Sequence, residues 1–166
     1  MIVYRGVNKM DYYLNDPAKT NEVMLDKYGY RWYITGDKGK LDSDGYLTVV
    51  DRYSRFAKVA GEMVGLGLLE QQVYDELREK GYDSHKIDFE VLAVATPDTK
   101  RGEIISLLYT LDSLNSDELK DIVRHMSMEN LYKPTNYFKV INIPRLGSGK
   151  TDFSKAKKLT NELVKA

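Results

Sequence analysis

The stretch from Leu66 to Ala95 limits the fold more than any other part of the sequence. Leu66, Leu69, Val73 and Leu77 recur at helical spacing, and Gly81 stands where that helix must stop. Phe89 to Ala95 follows as an apolar run suited to a buried strand. A helix with one apolar stripe and a buried strand are stable only as packed layers. The residues around them must therefore supply more sheet and more helix.

Upstream, Phe56 to Val59 and Glu62 to Val64 read as a small hairpin around Gly61. Downstream, Glu103 to Leu111 reads as a second strand and Tyr137 to Ile143 as a third. Asn115 with Glu118 forms a capping-box pattern, opening a helix with Leu119, Ile122, Val123 and Met126 on one face. Thr151 or Asp152 caps a last helix carrying Phe153, Ala156 and Leu163. The expected fold class is α+β: about three sheet strands flanked by helices, plus a two-stranded hairpin. At roughly 110 residues this part is large enough for its own core.

The first 50 residues have another texture, turn-rich and strand-like. Ile2 to Tyr4 is a short strand. Lys9 to Leu14 is extended or a single helical turn, and Pro17 to Met24 a short helix. Trp32 to Thr35 and Lys38 to Leu41 are strands, and Asp44-Gly45 turns the chain back into Tyr46 to Asp51. The boundary falls near Asp51 to Ser54, where a short, basic, polar joint suits a hinge. The chain opens as if inside an element, as a piece of a larger domain would.

Composition excludes several function classes. Twenty-five basic residues balance 25 acidic ones, so no global field favours nucleic acid or an anionic membrane. Without cysteine there is no disulfide, thiolate chemistry or cysteine zinc site. His85 and His125 are too few and too far apart for a metal cluster. No apolar run reaches the roughly 20 residues of a membrane helix. The start, MIVYRGVNKMDYY, lacks the order of a signal peptide. Thirteen tyrosines are scattered without stacking periodicity and read as half-buried sheet residues.

Chemistry gathers at Gly147-Ser148-Gly149-Lys150-Thr151, between a strand and a helix. Glycines admit close backbone approach, a helix N-terminus favours anions, and lysine is a movable point charge for phosphate or carboxylate. A P-loop would need glycine at position 144, which is Pro144, and only 15 residues follow Thr151. A plain turn capping the last helix fits the spacing equally well.

Three motifs in order shift that balance. WYITGD (Trp32 to Asp37) resembles the TGD motif of the acyl-adenylate-forming superfamily. DRYSRFAKVAGEMV (Asp51 to Val64) resembles its hinge-and-loop motif, and RLGSGKTDF (Arg145 to Phe153) its C-terminal lysine motif. YLNDPAKT (Tyr13 to Thr20) is similar to the segment upstream of TGD. Within the superfamily, RFAKVAGEMVGL, the following LEQ and the ending LGSGKTDF are most similar to the bifunctional 2-acylglycerophosphoethanolamine acyltransferase/acyl-acyl carrier protein synthetases.

The resemblance implies a C-terminal part of a fatty acid–acyl carrier protein ligase serving phospholipid acyl recycling. Residues 1–51 would end the large adenylation domain and 52–166 would form its mobile lid. Activation would use ATP and Mg2+, giving acyl-AMP and pyrophosphate, with no cofactor tightly bound to this part alone. Asp37 resembles the aspartate that accepts both ribose hydroxyls, and a carboxylate has the acceptors for a vicinal diol. Arg52 resembles an arginine on the same ribose, and Ser54 matches the hinge. Lys58, Val59, Ala60 and Gly61 resemble the loop lining the thiol tunnel. Lys150 resembles the lysine bridging the substrate carboxylate and the α-phosphate.

Carrier proteins are acidic, so Arg52, Arg55 and Lys58 are docking candidates, with Lys155, Lys157 and Lys158 on the last helix; solvated charge is the bland alternative. Asp51 departs from the family's glycine. Glu62 and Met63 replace the basic residue of some CoA ligases, leaving room for a carrier protein. Glu70 matches one acid of the helix-opening motif, Leu68 replaces the other, and Glu70 reads as structural. The partners implied are acyl carrier protein or CoA, a fatty acid and the large domain, at the cytoplasmic face, with membrane association residing in regions outside this chain. The rivals are an acyl-CoA synthetase lid and a carrier-binding module without chemistry.

Overall fold

The computed structural model describes residues 1–82 and 89–165; His85 lies outside them. In chain order the elements are β1 (Val3–Tyr4), α1 (Pro17–Val23), β2 (Met24–Lys27), β3 (Tyr30–Ile34), β4 (Asp37–Leu41), β5 (Leu47–Arg52), β6 (Phe56–Val59) and β7 (Glu62–Gly65). They continue with α2 (Leu66–Glu79), β8 (Val91–Asp98), β9 (Gly102–Tyr109), α3 (Ser116–His125), β10 (Asn136–Lys139) and α4 (Phe153–Lys165). Contacts divide the chain into two units, Met1–Arg55 and Phe56–Ala166.

The first unit holds an antiparallel sheet in the order β1-β3-β2 and a separate hairpin, β4-β5. Asp16 caps α1, accepting from the Lys19 amide at 2.9 Å, with Pro17 in the first turn. Strand β2 was not anticipated. It turns into β3 through Tyr28 and Gly29, both at positive φ (55° and 74°). That is a primed turn with tyrosine where asparagine is usual, so the usual sequence signal is missing. Lys9 to Leu14 forms neither helix nor strand. Among the described residues of this unit only Thr20, Val23 and Arg55 are buried. Leu41, Tyr46, Leu47, Val49 and Val50 all stand exposed on the β4-β5 hairpin.

The second unit has one five-stranded sheet. Strand β9 pairs antiparallel with β8 from Val91↔Tyr109 to Asp98↔Gly102. Its other edge takes β10 in parallel and, at Val59↔Gly102, β6, so the β6-β7 hairpin joins the main sheet. Alternation along β8 sends side chains to both faces. Ala93 and Ala95 pack with Leu69, Val73, Leu77, Leu119 and Val123 of α2 and α3. Leu92 and Val94 pack with Leu108, Ile143 and Ala156 on the α4 face. Full burial of each such leucine contributes about 1.5–3 kcal/mol.

Helix ends follow their sequence signals. Tyr82 N–H donates to Leu77 O and Gly81 N–H to Arg78 O, with Gly81 at φ 90°, a Schellman stop for α2. At α3 the Asn115 side chain accepts from the Asp117 and Glu118 amides while Glu118 accepts from Asn115 N–H. Glu70 accepts from Ala93 N–H at 2.6 Å, satisfying an amide on the outer edge of β8. Strand β10 is shorter than the apolar pattern: it ends at Lys139, where β9 ends at Tyr109, although Ile143 stays buried.

Asn115→Ala is expected to lower unfolding free energy by about 1 kcal/mol and Asn115→Gly by only a few tenths. Denaturant titration checks both; equal losses would contradict the cap.

Candidate functional site

Asp37 and Arg52 are brought together within the first unit. They face each other at the open end of the β4-β5 ladder, and Arg52 Nε lies 3.2 Å from Asp37 Oδ1. The ladder shifts register at Lys38/Gly39, leaving Val50 as an extra residue on β5. Such a bulge re-aims the strand end that carries Arg52. On the other side, Gly36 adopts φ 77° and its carbonyl accepts from Tyr53 N–H at 2.9 Å. Thr35 Oγ1 accepts from Asp37 N–H at 3.1 Å and donates to Ile2 O at 3.0 Å. The TGD backbone is thus fixed from three directions. The Asp37 side chain keeps 24% exposure, and its Oδ2 accepts no hydrogen bond among the described residues. Carboxylate and guanidinium together can take a vicinal diol. Nearby Tyr33 is held protonated above the usual tyrosine range, chiefly by burial and then by Tyr13.

Lys150 lies in the second unit, on a hairpin tip rather than directly on a helix end. Leu146 N–H donates to Lys150 O at 2.8 Å, and Gly149 N–H to Leu146 O at 2.9 Å. Arg145 and Thr151 form a bridge below them. Gly149 at φ 82° takes the bulge position of a three-residue turn. The two glycines therefore differ: Gly149 is required by backbone geometry, and Gly147 is not at positive φ. Asp152, not Thr151, caps α4: its Oδ1 accepts from Lys155 N–H at 3.0 Å, and it is buried. Lys150 is exposed and forms no ion pair among the described residues. An exposed cation on a defined backbone is the result.

The loop from Lys58 to Gly61 is anchored to the neighbouring β8-β9 turn. Lys58 N–H donates to Glu103 Oε2 at 2.7 Å and Ala60 N–H to Arg101 O at 2.8 Å. Asp98 Oδ1 in turn accepts from the Lys100 and Arg101 amides, which lowers its pKa. Ala60 and Gly61 both adopt positive φ (50° and 93°), closing a tight turn. Sequence reasoning missed Arg101 and Glu103, because nothing local ties them to a loop about 40 residues away.

Ser54 lies exposed in a 3-10 turn, Tyr53–Arg55, at the end of the first unit. Arg55 is 7% exposed, which corrects its assignment to a docking patch: a buried guanidinium is not displayed to a partner. Lys58 is exposed, as are Lys155, Lys157 and Lys158. Among the described residues no three His, Asp or Glu side chains gather as a metal site. No helix among them is long and apolar enough to cross a membrane.

No protein-family model matches the chain. It is 28% identical over 135 residues to 4-chlorobenzoate–CoA ligase of an Arthrobacter species, covering 81% of this chain and 23% of that protein. It is 29% identical over 164 residues to a medium/long-chain-fatty-acid–CoA/3-oxocholest-4-en-26-oate–CoA ligase of Mycolicibacterium smegmatis, covering 98% of this chain and 28% of that protein. The chain thus spans about a quarter of the length of these curated relatives. Both of these relatives are CoA ligases. Its fold matches ATP-bound MatB from Rhodopseudomonas palustris with a TM-score of 0.74 at 18% identity, over 96% of this chain and 30% of MatB.

The two loop glycines should respond differently to alanine. Gly149→Ala is expected to cost about 1 kcal/mol or more, since alanine resists positive φ, whereas Gly147→Ala has open space and no such strain. Melting of both variants checks this; a tolerated Gly149→Ala would contradict the bulged turn.

Proposed function

We propose that this chain is the C-terminal portion of an ATP-dependent acid–thiol ligase, with residues 1–51 ending the large adenylation domain and 52–166 forming the mobile lid hinged at Ser54. The observation that carries this reading is Lys150, an exposed cation with no ion pair among the described residues, on a hydrogen-bonded hairpin in a chain akin to ligases along nearly its whole length. The first unit supports it from another side. With only three described residues buried and a hairpin of exposed Leu, Val and Tyr, it has no core of its own. Such a unit needs a larger domain beneath it.

The chemistry follows from two anions that must meet. A substrate carboxylate oxygen attacks the α-phosphorus of ATP, the bond to pyrophosphate breaks, and acyl-AMP forms. Lys150 offsets the repulsion on approach and the charge that builds on the non-bridging oxygens; such electrostatic terms are usually the largest in these sites. Asp37 accepts from the ribose hydroxyls while Arg52 holds its carboxylate in place. In the second step a thiol sulfur attacks the acyl carbonyl carbon and AMP leaves, with the loop Lys58, Val59, Ala60 and Gly61 beside the thiol arm.

The acid we assign is a fatty acid and the acceptor acyl carrier protein, at the cytoplasmic face. Glu62 and Met63 beside Gly61 support that acceptor, since neither offers a cation to the phosphates of free CoA. A second reading, an acyl-CoA synthetase lid, is favoured by relatives that are CoA ligases. A carrier-binding module without chemistry has no need to retain all three of Asp37, Arg52 and Lys150.

In the complete ligase, this chain joined to its large domain, Lys150→Ala is expected to cut adenylate formation by roughly two or more orders of magnitude. Thioester formation from supplied adenylate should be much less affected. Single-turnover assays of each half-reaction check this, and equal losses in both would sink the role.

Acceptor choice is tested with both thiols. Thioester should form on acyl carrier protein, with a KM that Lys58→Glu raises most at low salt. A clear preference for CoA would select the second reading.

A further inference from the structure

The lysine hairpin is held by a contact that neither motif spacing nor family resemblance assigns. Leu146 to Lys150 are all exposed, so packing does not fix the tip. Two glycines and a serine form the turn; two backbone hydrogen bonds close the tip, and a third, Asp152 N–H to Pro144 O at 2.8 Å, ties its base. A lysine on such a tip would wander, and misplacement by about 1 Å costs on the order of 100-fold in rate.

Arg145 supplies the missing constraint. Its Nη1 donates to Gly149 O at 2.7 Å, and its Nη2 pairs with the Glu90 carboxylate. The Gly149 carbonyl belongs to the peptide bond that carries the Lys150 nitrogen, so the guanidinium grips the residue's own attachment point. Glu90 is itself fixed: its N–H donates to Thr110 Oγ1 at 2.8 Å, and its carbonyl accepts from Thr110 N–H at 3.1 Å. A continuous line of bonds therefore runs from the end of β9, through Glu90 and Arg145, to the Gly149–Lys150 peptide. The planar fork of arginine can hold both acceptors at once; a lysine ammonium, as a point charge, cannot hold that geometry.

We propose that Arg145 and Glu90 are positioning residues for adenylation, fixing the backbone from which Lys150 reaches the reacting oxygens. This rests on the reading of Lys150 given above. The pair touches neither nucleotide nor acid; it acts through the lysine alone.

The test uses the complete ligase and separates the two claims. Arg145→Ala and Glu90→Gln should each lower kcat of adenylate formation about tenfold, with KM for ATP and acid changed by less than about twofold. Arg145→Lys should recover only part of the loss. Thioester formation from supplied adenylate should stay intact. In a Lys150→Ala background, adding Arg145→Ala should change nothing further, because the group it positions is gone. A further tenfold fall there would overturn the proposal, showing that Arg145 acts on its own. Full adenylation by Arg145→Ala beside a dead Lys150→Ala would overturn positioning and leave the lysine's role standing. Normal adenylation by Lys150→Ala would remove both. If Arg145→Ala fails to fold, Glu90→Gln decides, and an unchanged kcat in it overturns the proposal.

Discussion

Strand β9 is the constraint on which the second unit depends. It is hydrogen-bonded on both edges, to β8 along its length and to β10 and β6 on the other side. Its side chains feed both cores, Ile105, Leu107 and Tyr109 toward α2 and α3, Leu108 toward α4. Both functional loops are hung from its ends. At Gly102 and Glu103 it holds the backbone of Lys58 to Gly61. Just past Tyr109, Thr110 fixes Glu90, which reaches the lysine hairpin through Arg145. From Ile105 to Tyr109 the strand is buried, and it cannot slip register without moving those side chains to the wrong face. That gives two exposed loops a common, stiff reference.

The two units contrast in what stabilises them. Phe56–Ala166 has two apolar layers on one sheet, enough to account for its own order. Met1–Arg55 has few buried side chains and is tied by hydrogen bonds: the Asp16 cap, the Thr35 and Gly36 contacts, and the β4-β5 ladder. Each such bond contributes only about 1 kcal/mol net. The Asp37–Arg52 pair sits on that thinner framework, with Arg52 69% exposed, so its strength as a surface ion pair is small. Its use is geometric: a carboxylate aimed and kept partly open.

Much of this was legible in the sequence where one local signal decides the outcome. The capping box at Asn115, the stop at Gly81, the turn at Gly61 and the helical face of Leu66, Leu69, Val73 and Leu77 all depend on residues a few positions apart. Strand β2 was missed because tyrosine occupied a left-handed turn position. The end of β10 was misjudged because partner length, not its own apolar run, sets it. Arg55 looked like surface charge, since composition says nothing of burial. Residues 145 and 90, or 58 and 103, meet only because the sheet brings them together, and a single sequence carries no trace of such pairs.

The deciding question is whether this chain lends its lysine to a larger adenylation domain. The most direct measurement is ATP–pyrophosphate exchange by a matching large domain, purified without its C-terminal portion, in the presence of this chain. Exchange should be absent from either part alone, appear when the chain is added, and fail to appear with Lys150→Ala. Exchange by the chain alone, or equal restoration by Lys150→Ala, would contradict it.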